Sequence, residues 1–136
     1  LAYNSVNLPN VRIFKKQIGT LKKFLLLARP KKDQIKDFDF LLNLGELFTL
    51  VAYGQLIIEK FQLDNFDADI LEQIFDFMIR DFSRYALNLY SKTNTTAPQK
   101  YFCKRMIRKP DKNTDRSKRV LQNHIYSLKD QYEMNS

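Results

Sequence analysis

The stretch FLLNLGELFTLVAYGQLIIEKFQL, from Phe40 to Leu63, decides how this chain is read. Its apolar residues, among them Leu41, Leu44, Leu47, Phe48, Val51, Leu56 and Ile58, fall on every side of a helix, and a helix apolar nearly all round is a buried one. Gly45 and Gly54 are nine residues apart. At about 100° per residue they sit on opposite sides, where each admits close approach of a neighbour. The stretch predicts a buried central helix over about 40–63, with other helices on both sides of it.

One stripe interrupts the apolar surface: Asn43, Glu46, Thr49 and the Tyr53 hydroxyl share a face at helical spacing. Glu46 is the only charge between Phe40 and Ile58. Buried without a partner, such a carboxylate costs several kcal/mol. A cation from another helix is therefore expected, and Arg80 and Arg84 are the candidates. A structural ion pair is the favoured reading of Glu46, ahead of a catalytic carboxylate. The charge-free run from Leu47 to Ile58 is short of the ~20 residues that a membrane span needs.

Outward from this helix, the remainder also reads as helical. In the N-terminal part, Asn7 is a candidate cap with Pro9 in the first turn, and Val11, Phe14, Ile18, Leu21, Leu25 and Ala28 form one apolar stripe up to Pro30. Arg12, Lys15, Lys16, Lys22 and Lys23 lie opposite. This basic amphipathic face is read as solvated, with an anionic membrane surface as the alternative. Residues 30–38 are expected to be a polar connector.

Beyond Leu63, Asp69 and Glu72 have the spacing of a capping box that opens a helix over about 70–90. Ile70, Ile74, Phe77, Met78, Phe82, Tyr85 and Leu89 are expected inside it, with Asp76–Arg80 and Asp81–Arg84 pairs on its surface. Thr96 and Gln99 form a second capping box, before a shorter helix that Pro110 ends. Asn113 or Thr114 caps a last helix with Leu121, Ile125, Leu128 and Tyr132 as its stripe. The expectation is an all-α bundle of about five helices in one domain spanning 1–136.

Composition narrows the function. In 136 residues there are three glycines, one cysteine and one histidine. That leaves no Gly-rich phosphate loop, no internal disulfide and no zinc site of Cys and His. Cys103 reads as a small hydrophobe and His124 as a boundary residue. The single cysteine fits a reducing, cytoplasmic compartment.

The net charge of +8 is unevenly spread. Residues 1–33 hold eight Lys and Arg against one acid, 34–91 hold four against ten, and 92–136 hold eleven against four. Basic ends that can satisfy an acidic middle make nucleic acid an unlikely partner. The densest cationic group is Lys100, Lys104, Arg105, Arg108 and Lys109, with Tyr101 and Phe102 between the charges. It is read as a solvated or domain-contacting face, with phosphate binding as the alternative. The chain starts at Leu1 rather than Met, and a piece of a longer polypeptide is expected.

Three stretches read together carry a resemblance: GELFTLVAYGQLIIE (Gly45 to Glu59), IFDFMIRDFSRYALNLYSK (Ile74 to Lys92) and KRMIRKP (Lys104 to Pro110). Their order and spacing resemble the C-terminal helical extension of a subgroup of bacterial FAD-dependent acyl-CoA dehydrogenase family proteins. The resemblance implies a larger flavoprotein whose upstream domains hold FAD and supply the catalytic glutamate of an oxidoreductase of fatty acid metabolism. It assigns no catalytic, cofactor or metal residue to this chain, Glu46 included.

In relatives similar to the very-long-chain enzymes such an extension serves subunit packing and contact with membranes. The resemblance therefore implies a non-catalytic domain whose partners are the upstream domains, a second subunit in a homo-oligomer, or an anionic membrane surface met peripherally. The alternative from the residues alone is a stand-alone basic helical module that binds nucleic acid or anionic lipid.

Overall fold

The computed structural model describes residues 2–125 and Leu128. Among them are six α-helices and no strand: α1 (Pro9–Leu27), α2 (Lys32–Lys36), α3 (Phe38–Asp64), α4 (Ala68–Tyr90), α5 (Ala97–Met106) and α6 (Thr114–Val120). A 3-10 turn over Ala2–Asn4 precedes them and one π-helical turn over Leu121–Ile125 follows. The chain is all-α, as its periodicity requires.

α2 is the helix beyond the expected five, inside the expected connector. Its Gln34 is fully buried and forms a reciprocal amide pair with Gln99 of α5, at 2.7 and 2.8 Å. Gln99 also accepts the Thr96 N–H at 3.0 Å, so the Thr96 capping box is present as expected and doubles as the dock for α2.

The helix at the centre is α4, which packs against α1, α3, α5 and α6. Its buried residues Leu71, Phe75, Met78, Ile79, Phe82, Ala86 and Leu89 recur at three and four, which lays one continuous stripe along it. Phe77, expected inside, is exposed, and Ile70, Ile74 and Tyr85 are half-buried. The true stripe lies about one residue round from the expected one. Phe14 of α1 meets Phe75 and Phe82 edge-on, with centroids 5.4 and 5.5 Å away, and Tyr3 closes the cluster at 5.8 Å from Phe14. The α1 stripe is as expected, buried except for the half-buried Leu25.

α3 is a correction. Its span encloses the expected one, but it is neither central nor buried all round. Phe40, Leu44, Leu47, Gly54 and Ile58 face the core, whereas Phe38, Leu41, Leu42, Phe48, Tyr53, Leu56 and Leu63 are exposed. At Gly54 a Cβ would collide with the Tyr3 hydroxyl and stand 3.0 Å from Phe14, so glycine is required there. At Gly45 a Cβ would meet nothing within 4 Å. Asn65 ends the helix in the left-handed region at φ 50°, which asparagine tolerates better than most residues.

Helix starts show where side chains find better partners than the nearest cap. α1 begins at Pro9 without a side-chain cap, because the Asn7 side chain accepts from Arg12 Nη1 at 2.6 Å instead. α4 is capped by Asp67, not Asp69, and Glu72 reaches across to the Asn10 N–H of α1 at 3.0 Å rather than back to its own helix. Asn113 caps α6, accepting from the Arg116 N–H. Leu121, Ile125 and Leu128 of the last expected stripe are exposed, and Tyr132 lies outside the described residues. α5 stops at Met106, four residues before Pro110.

Candidate functional site

The polar stripe of α3 lands on the rim of an open cleft of about 620 Å³ between α3 and the C-terminal half of α4. Asp39, Leu42, Asn43 and Glu46 line one side, and Tyr85, Asn88, Ser91 and Lys92 the other. Asn43 is buried and accepts from Asn88 Nδ2 at 3.1 Å. Glu46 is half-buried, and no ion pair ties it to Arg80 or Arg84 among the described residues. Those arginines hold acids of their own helix: Arg80 is 2.9 Å from Asp76, and Arg84 is 3.4 Å from Asp81. A carboxylate at a wet rim needs no buried cation, which is why the expected pair is not formed. The cation of the cleft is Lys92, at 2.9 Å from Asp37 and 3.0 Å from Asp39. The Lys92 hydrogen bond holds the Asp37 carboxyl below its usual range.

Charge is buried elsewhere, at a cluster that spacing alone does not reveal. Arg116 of α6 is 3% exposed and stands 3.6 Å from Glu72 and 3.5 Å from Asp76, both buried on α4. Asn10 completes the cluster: its Nδ2 donates to the Glu72 carbonyl, and its Oδ1 accepts from the Asp111 N–H at 2.8 Å. Burial raises the Glu72 pKa against the opposing pull of the Asn10 N–H and Arg116. Sites 62 and 101 residues apart from Asn10 are pinned together here. The arrangement latches α6 and the preceding segment onto α1 and α4. Its sequence signal is faint, since Glu72 has a ready local explanation as a cap and Arg116 is one of many basic residues.

Of the other candidates, Cys103 is fully buried, and burial pushes its thiol up to about 12. It packs as a hydrophobe, with none of the thiolate character that reactivity needs. His124 Nε2 lies 2.9 Å from the Asp67 carboxylate, joining the π-helical turn to the start of α4. Among the described residues no group of three His, Cys, Asp or Glu side chains is placed to hold a metal ion.

The basic cluster is divided by the early end of α5. Lys104 and Arg105 are exposed on the helix and Lys100 is half-buried, while Arg108 and Lys109 belong to the segment beyond it. Lys100 lies 5.7 Å from the Tyr90 ring and Arg105 5.5 Å from that of Tyr101.

α1 and α5 run antiparallel, as Gln17 donating to the Met106 carbonyl and Gln99 donating to the Ala28 carbonyl show. Neither helix contains an acidic residue. The acidic middle pairs with the C-terminal third instead, through Lys92, Arg116, Arg119 and His124. Among the described residues no ion pair engages Lys15, Lys16, Lys22 or Lys23. The basic N-terminal third is thus not neutralised in the way its charge balance suggests.

A broad apolar surface left without a partner among the described residues is the outer arc of α3. Seven large apolar side chains on it are between 46 and 81% exposed. At roughly 150–250 Å² for each large side chain, on the order of 600–1,000 Å² of largely apolar surface remains in water, above the ~300–600 Å² of the largest patch on a typical monomer. By length and composition α3 can also cross a membrane: its most apolar 18 residues have a mean hydropathy of 1.5 and only 28% of them are buried within the chain. Its inner arc, however, lies on α4, Tyr3 and Phe14, as a helix of a globular domain does. No family model matches this chain, and no curated protein or solved structure matches it either.

Proposed function

We propose that the chain is a non-catalytic helical packing module whose working surface is the outer arc of α3. The observation that carries this is the arc itself: seven exposed apolar side chains on one face of a helix whose other face is anchored in the core. In this reading the parent is an acyl-CoA dehydrogenase-like flavoprotein, with FAD and the catalytic glutamate in upstream domains. The stretches Gly45 to Glu59, Ile74 to Lys92 and Lys104 to Pro110 support that assignment. The compartment is the cytoplasm, with at most peripheral contact to a membrane.

The test places a cysteine in the arc of the natural polypeptide. Thr49→Cys should react with a maleimide far more slowly than Lys23→Cys, because the arc is covered in the assembly and α1 is not. Equal rates would remove the packing role. The parent is tested separately by intact mass and visible absorption of the natural protein. A large yellow polypeptide fits the flavoprotein; a colourless one near 16.2 kDa does not.

A second reading has its own observation. Leu26 and Leu27, at the end of acid-free α1, are 75 and 72% exposed beside Lys22, Lys23 and Arg29. Cations around protruding apolar residues suit an anionic bilayer better than nucleic acid. Co-sedimentation with phosphatidylcholine vesicles should then require added phosphatidylglycerol and weaken with salt. It should also fall in a Lys22→Glu, Lys23→Glu variant. Sedimentation indifferent to lipid charge rules the reading out.

A further inference from the structure

The outer arc of α3 is suited to one occupant in particular, and we infer that a second copy of this chain covers it, α3 lying antiparallel on α3 about a two-fold axis between Leu50 and Val51. The inference rests on the packing role proposed above and names its partner.

Three features of the arc carry it. The first is extent. The roughly 600–1,000 Å² left in water brackets what each side of a standard protein interface contributes, about 800 Å². The second is shape. A two-fold axis at that point sets Gly45 opposite Leu56 of the second copy, Phe48 opposite Tyr53, Thr49 opposite Ala52 and Phe38 opposite Leu63. Gly45 is the empty place on the arc, where even a Cβ would meet nothing within 4 Å. Leu56 is among the side chains that protrude, at 61% exposed. Hole therefore meets knob twice, once on each side of the axis. At the axis the small Thr49 and Ala52 let the helices approach closely, and the rings of Phe48 and Tyr53 flank them.

The third feature is charge. A parallel arrangement in register would set Glu59 against its own copy and align the two helix dipoles, both unfavourable. The antiparallel one places Glu59 and Lys60 over Leu42 and Leu41, at the rim, where Lys60 already pairs with Asp64 at 2.6 Å and can keep its charge in water. The polar groups brought near the axis are the Thr49 hydroxyl, bonded to its own helix, and the Tyr53 hydroxyl, which its ring carries to the edge of the contact.

The decisive variant is Phe38→Cys with Leu63→Cys in one natural polypeptide. These positions are 25 residues apart on one helix. That is about 37 Å, so they cannot join within a copy. They are 77 and 81% exposed, so the fold tolerates the change, and Cys103 is buried out of reach. Mild oxidation should double the mass of the double variant on a non-reducing gel, and of a mixture of the two single variants, while neither single variant alone cross-links. Separately, Leu56→Asp should weaken self-association at least about tenfold in sedimentation velocity, as loss of an interface anchor does.

Cross-linking of Phe38→Cys alone would mean parallel packing and overturn the inference. So would a protein that stays monomeric and uncross-linked at every concentration. If Thr49→Cys is nevertheless shielded in that monomer, the packing role survives with another domain as the partner. If Thr49→Cys is freely labelled, both ideas fall.

Discussion

α3 and α4 are neighbours of similar length, yet their outcomes are opposite to their appearance. α3 carries a twelve-residue run without a charge, from Leu47 to Ile58, whereas α4 is broken by six charges between Asp69 and Arg84. α4 is nonetheless the centre of the molecule, and α3 lies at its edge. The difference lies in phase, not in amount. The apolar residues of α4 recur at one helical period, so neighbouring helices can share one stripe, and its charges cluster where Arg80 and Arg116 can meet them. Those of α3 are spread all round, and among the described residues only half of that circumference finds a partner. A continuously apolar helix marks surface that something must cover; it does not say that its own chain does so.

The comparison breaks most visibly under truncation. Phe82→Ala on α4 removes a fully buried ring that meets Phe14 edge-on and should cost about 3–5 kcal/mol. Leu56→Ala on the outer arc of α3 should change the stability of the monomer by less than about 0.5 kcal/mol. Urea denaturation of both variants at a concentration too low for self-association checks the pair. Equal losses would mean that the outer arc is already buried within one chain.

Next in size is the charge that α4 buries. Arg116→Met leaves Glu72 buried without its cation and Asp76 with Arg80 alone, and should cost about 3 kcal/mol, releasing α6 first. Hydrogen exchange would show amides of α6 losing protection before those of α4. The pH dependence follows from Glu72, whose pKa is raised in the fold. The folded state then holds the proton more tightly than the unfolded one, so stability falls as pH rises from the ordinary glutamate value of 4.5 through the higher folded one. Asp37, Asp67 and Asp69 work the other way. Hydrogen bonds from Lys92, His124 and Arg119 lower their pKa values, so their support is lost as pH falls below 3.8 through the folded values. Denaturation midpoints should therefore decline on both sides of a mildly acidic maximum. Glu72→Gln should flatten the decline on the neutral side alone; a profile unchanged by it would deny the buried carboxylate its role.

Period and punctuation are legible in the sequence itself. The α1 stripe, the Thr96 capping box, the Asp76–Arg80 and Asp81–Arg84 pairs and the all-α class each rest on residues within four of one another, where local geometry leaves little choice. What stays hidden depends on distant choices. Glu72 has the spacing of a cap but binds Asn10, 62 residues away, because a main-chain donor on a neighbouring helix is there to be satisfied. Glu46 reads as a carboxylate in need of Arg80 or Arg84, but the exposure of its rim removes the need. The basic face of α1 reads as the answer to the acidic middle, yet Arg116, Arg119 and His124 reach those acids first. Nor does periodicity alone tell the covered arc of α3 from the open one, since both are apolar.

The two glycines of α3 sharpen the comparison at the smallest scale, because one substitution made twice should have opposite signs. Gly54 faces Tyr3 and Phe14, and an added methyl group must displace rings in the best-packed part of the core. Gly54→Ala should cost about 1–3 kcal/mol, the range of overpacking. Gly45 sits half a turn away in open space and in ordinary helical conformation. There alanine relieves the helix of glycine's extra freedom in the unfolded chain, and Gly45→Ala should gain about 0.5–1 kcal/mol in the monomer. The same methyl group begins to fill the hole opposite Leu56 of a second copy. Stability at low concentration should therefore rise while self-association at high concentration weakens. A Gly45→Ala variant that gains on both counts would show that α3 stands alone on that face, whatever covers the rest of the molecule.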